Sequence, residues 1–408
     1  MSELQYYLSP RVAIEPIYTR GNALWRGHDR FLVKGINYFD RQSKDGESKP
    51  TVHDPKVDVL TEEYLPKLRR DIGYFQELGL NTVAVSSLDP SKSHGAALQL
   101  LARSGFYVLV KISEDIRGPE LPRNNGTFDS NFDTQQHYTL DSITTSLQIV
   151  DELADHPNIL GFVVSGDSLR YMSTTKIAEV SRAHIRDIKA FLRQRGGRQI
   201  PVGVTNSEIL MLRFPALKYF TAGSPSDRID FFAPDSWSWA HKSSFQISGW
   251  KNMVKVMSEV PVPMFLRQYG SYVGKERIWE EVECLYSRDM TGVYSGGCLY
   301  TFRDPGHSQY GIVEDDEEGI VRKKPEFETL KGRFRTVNAR LEEEVLEEAV
   351  GDYENWQGVF PEHKENRWVA TGDVPEFPGD WNEVVAKIQN DRMERMLVEE
   401  ASRLQIRE

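Results

Sequence analysis

Seven polar side chains close apolar runs along this chain: Asn37, Ser86, Asp167, Asn206, Asp235, Gln268 and Arg303. Two of them, Asp167 and Asp235, are carboxylates, able to exchange a proton or to pair with a cation. Asp304 stands just past the last run. Gln268, inside PMFLRQYG (263–270), is a neutral amide that cannot ionise. The hydroxyls of Ser86 and Ser168 could accept an acyl group, but no partner base is identifiable from the sequence around either. The nine histidines show no metal-ligand spacing and no HExxH. No GxGxxG or GxxxxGK[ST] follows a strand, so no metal or other cofactor is expected.

These residues need a scaffold that gathers them. The runs they close are FLVKGINY (31–38), NTVAVSSL (81–88), YVLVKIS (107–113), ILGFVVSG (159–166), IPVGVT (200–205), IDFFAPD (229–235), PMFLRQYG (263–270) and GGCLYTFR (296–303). Helix-like stretches such as LPKLRRDIGYFQELG and ALQLLARSG lie between most of them, and Asp141 precedes another in the manner of a cap. Eight strands alternating with helices predict an α/β fold, a (β/α)8 barrel. In such a barrel the carboxyl ends of the strands share one face, and chemistry is sited there.

The chain divides into an N-terminal segment (1–29), the barrel (30–315) and a C-terminal extension (316–408). The extension carries a mixed-charge helix, a Trp/Pro/Gly-rich stretch and a last amphipathic helix, and is expected to pack on the barrel by its tryptophans. A net charge of −11 argues against a general nucleic-acid surface but leaves room for a local basic patch. One candidate is SRAHIRDIKAFLRQRGGR, where Arg182, Arg186, Lys189 and Arg193 fall on one helical face. Its competing reading is the solvent face of an outer helix. The N-terminal stretch has neither the pattern of a secretory signal nor that of a membrane span, and two cysteines are too few for a disulfide framework. Both features predict a cytoplasmic protein with no membrane partner.

The stretches FLVKGINY, LGLNTVAVSSLDPSKSH, HPNILGFVVSGDS, RQIPVGVTN and YSGGCLYTF resemble, in order and spacing, the catalytic domain of fungal β-1,3-glucanosyltransferases, the family 72 glycoside hydrolases. LDPSKSH (88–94) is the most specific piece. The resemblance implies a (β/α)8 barrel of glycoside-hydrolase type and a retaining mechanism with two glutamates, an acid/base and a nucleophile. Gly166-Asp167 stands where that family keeps an Asn-Glu pair, and Gln268 stands at the nucleophile. Asp167 is one methylene shorter than glutamate, which sets its carboxyl back by about 1 Å. Ser86 replaces a tyrosine, Lys111 an acid, and Trp237-Ser238 a Tyr-Glu pair.

With both glutamates absent, no secretory-signal pattern and a Trp/Pro-rich tail, the chain also resembles fungal arginine-containing cyclodipeptide synthases. That resemblance implies an aminoacyltransferase that condenses arginyl-tRNA with a second aminoacyl-tRNA. On this expectation Asp167, Gln268, Asp373 and Glu376 are catalytic. Ser86, Asp235, Trp237, Arg303 and Asp304 bind substrate, and Arg182, Arg186, Lys189 and Arg193 bind tRNA. Asp373/Glu376 is one of four D-x-x-E pairs, with Asp315/Glu318, Asp380/Glu383 and Asp391/Glu394. The alternatives are a glucan-active enzyme using Asp167, a glucan binder with Trp237 and Trp239 as stacking platforms, and a pseudoenzyme.

Overall fold

A computed structural model describes residues 14–41, 56–113, 133–304, 309–316, 319–344, 346, 351–364 and 367–405. Of the D-x-x-E acids, Glu318 lies outside the described residues. The chain opens on three short antiparallel strands, β1 (Ile17–Arg20), β2 (Ala23–Arg26) and β3 (Asp29–Phe31). Eight parallel strands follow: β4 (Val33–Asn37), β5 (Thr82–Ser86), β6 (Tyr107–Lys111), β7 (Ile159–Val164), β8 (Val202–Asn206), β9 (Phe231–Pro234), β10 (Met264–Tyr269) and β11 (Tyr294–Leu299). They pair in chain order and β11 closes onto β4, completing the expected barrel.

Each strand matches one of the apolar runs, because a parallel strand buried on both faces must be apolar on both. Side chains alternate between two cores. Val33, Leu109, Val163, Phe231 and Phe265 fill the barrel interior, whereas Ile36, Val83, Val108 and Val110 face the outer helices. Phe231 and Phe265 stack at 5.1 Å inside the barrel. Gly203 makes room for them, since a Cβ there would lie 2.3 Å from the Phe231 ring.

The N-terminal segment has a role that its sequence did not reveal. Ile17, Leu24 and Phe31 join the interior cluster, and the Tyr107 hydroxyl, at the start of β6, donates to the Glu15 carbonyl at 2.6 Å. The small sheet therefore plugs the amino-terminal end of the barrel, and the opposite end is left for a site. The outer helices include α1 (Leu65–Glu77), α2 (Gly95–Arg103), α3 (Leu140–Leu153), α4 (Ala178–Arg195) and α5 (Leu210–Thr221). Thr139, not Asp141, caps α3 by accepting from Ser142 N at 3.3 Å. Asp141 lies within the first turn, where the helix dipole favours an acid.

Helix α4 corrects the expected basic stripe. Arg182 is wholly buried and donates to the carbonyls of Tyr219 (2.6 Å) and Ala222 (2.5 Å) and to Asp227 (3.0 Å). Arg186 pairs with its neighbour Asp187 at 2.7 Å, and Lys189 with Asp230 at 2.6 Å. Of the four, Arg193 alone is exposed. The stripe shares a face as its spacing requires, but the turn after α5 and the C-terminal extension cover that face. Arg182, Arg186 and Lys189 are spent holding the fold together, and Arg193 by itself makes no track for tRNA phosphates.

The extension packs on the barrel from outside. Helix α6 (Pro325–Glu343) lies against Glu280–Leu285, and α7 (Trp381–Gln405) lies against α3, where Arg392 reaches Asp151 at 3.0 Å. Between these helices the chain runs across α4 and α5. Trp368 is buried with its ring centroid 5.3 Å from that of Tyr219, and Tyr353 donates to the Ile229 carbonyl at 2.6 Å. Arg228 fastens this strap by donating to the carbonyls of Tyr353 (2.5 Å), Glu354 (3.1 Å) and Trp356 (2.6 Å). Hydrogen bonds from a charged group contribute roughly 1.5–3 kcal/mol each where buried. Arg228→Ala is therefore expected to make residues 351–364 the first site of cleavage in limited proteolysis, before the barrel is cut. An unchanged cleavage order would show that the aromatic contacts alone hold the strap.

Candidate active site at the barrel mouth

The site starts from an irregularity in β10. Its pairing with β11 shifts register between Leu266 and Tyr269, so Arg267 and Gln268 leave the regular alternation at the strand end. Asn37 anchors that turn of chain, donating from Nδ2 to the carbonyls of Arg267 (3.1 Å) and Leu299 (3.1 Å). Arg267 then reaches across the mouth. Its Nη1 donates to Asp167 Oδ2 at 2.6 Å, and its Nη2 and Nε donate to Asp235 Oδ2 and Oδ1 at 2.6 and 2.8 Å. The arginine thus holds one carboxylate end-on and the other with its fork, the arrangement a guanidinium makes best.

Asp167 has two further donors, Thr205 Oγ1 at 3.0 Å and Lys111 Nζ at 3.5 Å. The Thr205 hydroxyl also accepts from Gly166 N at 3.0 Å, which fixes the end of β7 against β8. This approach is so close that a Cβ on Gly166 would stand 2.1 Å from the Thr205 carbonyl oxygen. The asparagine of an Asn-Glu pair has no room here. The substitution at 166 and the packing of these two strands belong together.

Asp235 is bridged to Gln268 across β9 and β10, with Ser236 N donating to the Gln268 carbonyl at 2.9 Å. Burial pushes its carboxyl up to about 6; Arg267 pulls it down and Asp167 adds to the rise. Burial works against the Arg267 guanidinium too, but the two carboxylates hold it firmly protonated. Asn206, wholly buried beside both acid-bearing segments, has neither side-chain amide atom paired among the described residues. The site therefore keeps polar capacity to spare.

Above these groups lies a cavity of about 110 Å3 that includes Ser86, Gln268 and Tyr300 in its lining. A wider one of about 350 Å3 adjoins it and shares Lys56, Ser86 and Lys111. Lys56 Nζ donates to Ser86 Oγ at 3.0 Å. Trp237 stands half-buried at the rim, its ring edge-on to Tyr300 at 5.6 Å and Tyr310 at 5.8 Å. Glu208 steadies it by accepting from Trp237 N at 2.6 Å while Arg213 holds the other carboxylate oxygen at 2.9 Å.

The structure brings together Ser86, Asp167, Asp235, Trp237 and Gln268, and sends the remaining candidates elsewhere. Arg303 faces away from the mouth into a buried ion pair with Asp71 and also bonds Asp315 at 2.8 Å. Asp304 pairs with Lys324 at 3.5 Å. Trp239 is buried against Trp250 at 5.0 Å and offers no stacking platform. Asp373 and Glu376 are exposed on the outside of the barrel, where the Glu376 backbone exchanges hydrogen bonds with the Gln135 side chain. Neither lines the mouth. Sequence reasoning missed Arg267, Thr205 and Lys56. Arg267 alone had a signal, a lone charge inside the apolar run of PMFLRQYG.

The glucanosyltransferase family profile matches residues 8–338. Among characterised proteins, 1,3-beta-glucanosyltransferase gel1 of Aspergillus fumigatus is 34% identical over 327 residues, which span 80% of this chain and 67% of that protein. The 1,3-beta-glucanosyltransferase GAS5 of Saccharomyces cerevisiae is 30% identical over 368 residues, 89% of this chain and 70% of that one. Among solved structures, Saccharomyces cerevisiae Gas2p in complex with laminaripentaose superposes with a TM-score of 0.74 at 25% identity, covering 90% of this chain and 78% of Gas2p. These matches overturn the expected cyclodipeptide synthase and its aminoacyl-tRNA partners. The family and its relatives are glucanosyltransferases, and the solved neighbour holds a glucan oligosaccharide. The expectation rests on the missing glutamates, together with the missing secretory signal and the Trp/Pro-rich tail. It failed because a lost side chain says what the old mechanism lacks and nothing about what replaces it.

Proposed function

The chain belongs to the glucanosyltransferase family, and on that premise we propose that it acts on β-1,3-glucan at the barrel mouth with Asp167 and Asp235 as its carboxylate pair. The observation that carries this reading is the second acid beside Gln268. Asp235 faces Asp167 across a single guanidinium, each carboxylate 2.6 Å from one of its two terminal nitrogens, and a retaining mechanism needs two carboxyls facing one another in this way. The amide at 268 then removes one carboxylate from the mouth without leaving Asp167 alone. Environment divides the labour between the two. Asp235, raised to about 6, is the member that carries a proton to the glycosidic oxygen as the bond to the anomeric carbon breaks. Asp167, with three donors fixing its position, meets the positive charge that develops on the sugar until the hydroxyl of an acceptor glucan bonds to the anomeric carbon and returns its proton to Asp235.

Incubation with laminari-oligosaccharides, followed by chain-length analysis of the products, tests this. The expected result is redistribution of lengths, with a rate that falls as pH rises past about 6 and Asp235 loses its proton. Asp235→Asn should lower that rate by about 10²–10⁴-fold, the usual worth of a general acid, in protein whose melting shows it folded. Arg267, seated between the carboxylates, favours a second reading in which the barrel binds glucan without turning it over. Binding with unchanged chain lengths would select that reading. Neither binding nor redistribution would remove glucan altogether. The expected cytoplasmic location remains our proposal; its support is that Cys284 and Cys298 are both free thiols, the latter buried in the barrel interior.

A further inference from the structure

Two polar groups that line the 110 Å3 cavity are unpaired among the described residues: the Gln268 carboxamide and the Tyr300 hydroxyl. Both belong to half-buried residues. Burial raises the Tyr300 hydroxyl above its ordinary pKa, so it stays a donor. The same cavity has an apolar floor. Ala84, Leu109 and Val163 reach it from the interior cluster of the barrel, and Phe39 adds a ring to the lining. A hydroxyl donor and a carboxamide over an apolar floor complement a secondary amide that ends in a methyl. Its carbonyl accepts from Tyr300, its N–H donates to Gln268 Oε1, and its methyl covers the floor. A bare sugar hydroxyl would leave that floor against water. Size agrees with chemistry. A cavity of about 150 Å3 holds the six carbons of benzene, so one of 110 Å3 suits about four non-hydrogen atoms, as many as an acetamido group has.

We propose that the donor sugar carries a 2-acetamido group seated in this cavity, and that its carbonyl oxygen does the attacking that an amide at 268 cannot do. The inference rests on the roles given above to Asp235 and Asp167. Asp235 gives its proton to the glycosidic oxygen as that oxygen's bond to the anomeric carbon breaks. The acetamido oxygen bonds to the same carbon and closes an oxazolinium ring, whose positive charge Asp167 meets. The acceptor hydroxyl then bonds to the anomeric carbon, the bond to the acetamido oxygen breaks, and the hydroxyl proton passes to Asp235. Two displacements retain the configuration, and no side chain forms an ester. That suits carboxylates already engaged by Arg267, whose guanidinium holds the electron pairs an ester would need. The adjoining chamber of about 350 Å3 leaves room for the ring that bears the group.

Calorimetry on the full chain with glucose, N-acetylglucosamine and the thiazoline of N-acetylglucosamine, a stable sulfur analogue of the oxazolinium ring, tests the seat and the step. N-acetylglucosamine should bind at least about tenfold tighter than glucose, the worth of two hydrogen bonds. The thiazoline should bind at least about a hundredfold tighter again, as mimics of a transition state do. Tyr300→Phe and Gln268→Leu should each cut the advantage over glucose by about fivefold, in protein whose melting temperature shows it folded. Equal affinity for glucose and N-acetylglucosamine, or an advantage that survives both substitutions, would overturn the proposal. So would a thiazoline that binds no tighter than N-acetylglucosamine. Laminari-oligosaccharides separate the two readings. If their lengths are redistributed and the acetamido sugars hold no advantage, the glucan reading stands and this inference falls. If the acetamido sugar and its thiazoline show their advantages while laminari-oligosaccharides neither bind nor change length, this inference stands and glucan falls.

Discussion

Arg267→Met is expected to lower the unfolding free energy by about 3–5 kcal/mol at neutral pH, because it leaves two buried carboxylates facing each other without their shared cation. The loss should depend on pH with a definite sign. Asp235 already titrates at about 6, above its ordinary 3.8, owing to burial. A carboxyl raised in the folded state favours folding while it is protonated. Its contribution is therefore complete below about pH 4 and lost as pH rises through 6. Without Arg267 the rise is larger, so the variant should recover much of its deficit at pH 5 relative to pH 8, measured by urea unfolding. Adding Asp235→Asn to Arg267→Met should restore part of the stability at pH 8 by removing one of the opposed charges. A deficit equal at both pH values, with no rescue in the double variant, would show that Arg267 acts through packing rather than as the counter-ion of the pair.

His94→Gln should cost about 3 kcal/mol at pH 6 and little at pH 9.5. His94 is fully buried, with Nε2 at 2.8 Å from Asp58 and Nδ1 at 2.8 Å from Glu152. Burial by itself would lower its pKa, but the hydrogen bonds to Asp58 and Glu152 raise it to about 9. The ordinary value is 6.5, so the imidazolium's contribution is complete below about pH 6.5 and disappears as pH climbs through 9. The difference corresponds to about 3 kcal/mol. Glutamine fills the space and reaches one acid but brings no charge. The stability of the two proteins, followed by denaturant unfolding from pH 6 to 9.5, should converge over that window. Parallel curves would mean that His94 is held neutral.

His94 belongs to LDPSKSH, the stretch most specific to the family resemblance, and its partners explain what that stretch does. Asp58 also accepts from Asp89 N at 2.8 Å, and Glu152 from His94 N at 2.8 Å, so one imidazolium ties the chain after β5 to the segment before α1 and to the end of α3. Neither acid is near His94 in sequence. The motif was legible and its mechanism was not. The same division runs through the mouth: Asp167, Asp235 and Gln268 could be named from the ends of apolar runs, whereas Arg267, which joins two of them, lay inside one. A charged residue within an apolar run reads as a strand-end imperfection until the register shift turns it inward.

The barrel, its strand positions and the family resemblance were all fixed by local pattern, since a strand buried on both faces must be apolar and one residue type after another records that requirement. Partnership was not so recorded. Whether Arg182 met solvent or three acceptors, whether Arg303 faced the mouth or Asp71, and whether Asp373 stood near any site depended on segments far apart in the chain. Charged side chains are placed by whichever distant group can satisfy them once the backbone has folded. Only the tertiary structure could therefore decide which polar residues serve the site and which serve the scaffold.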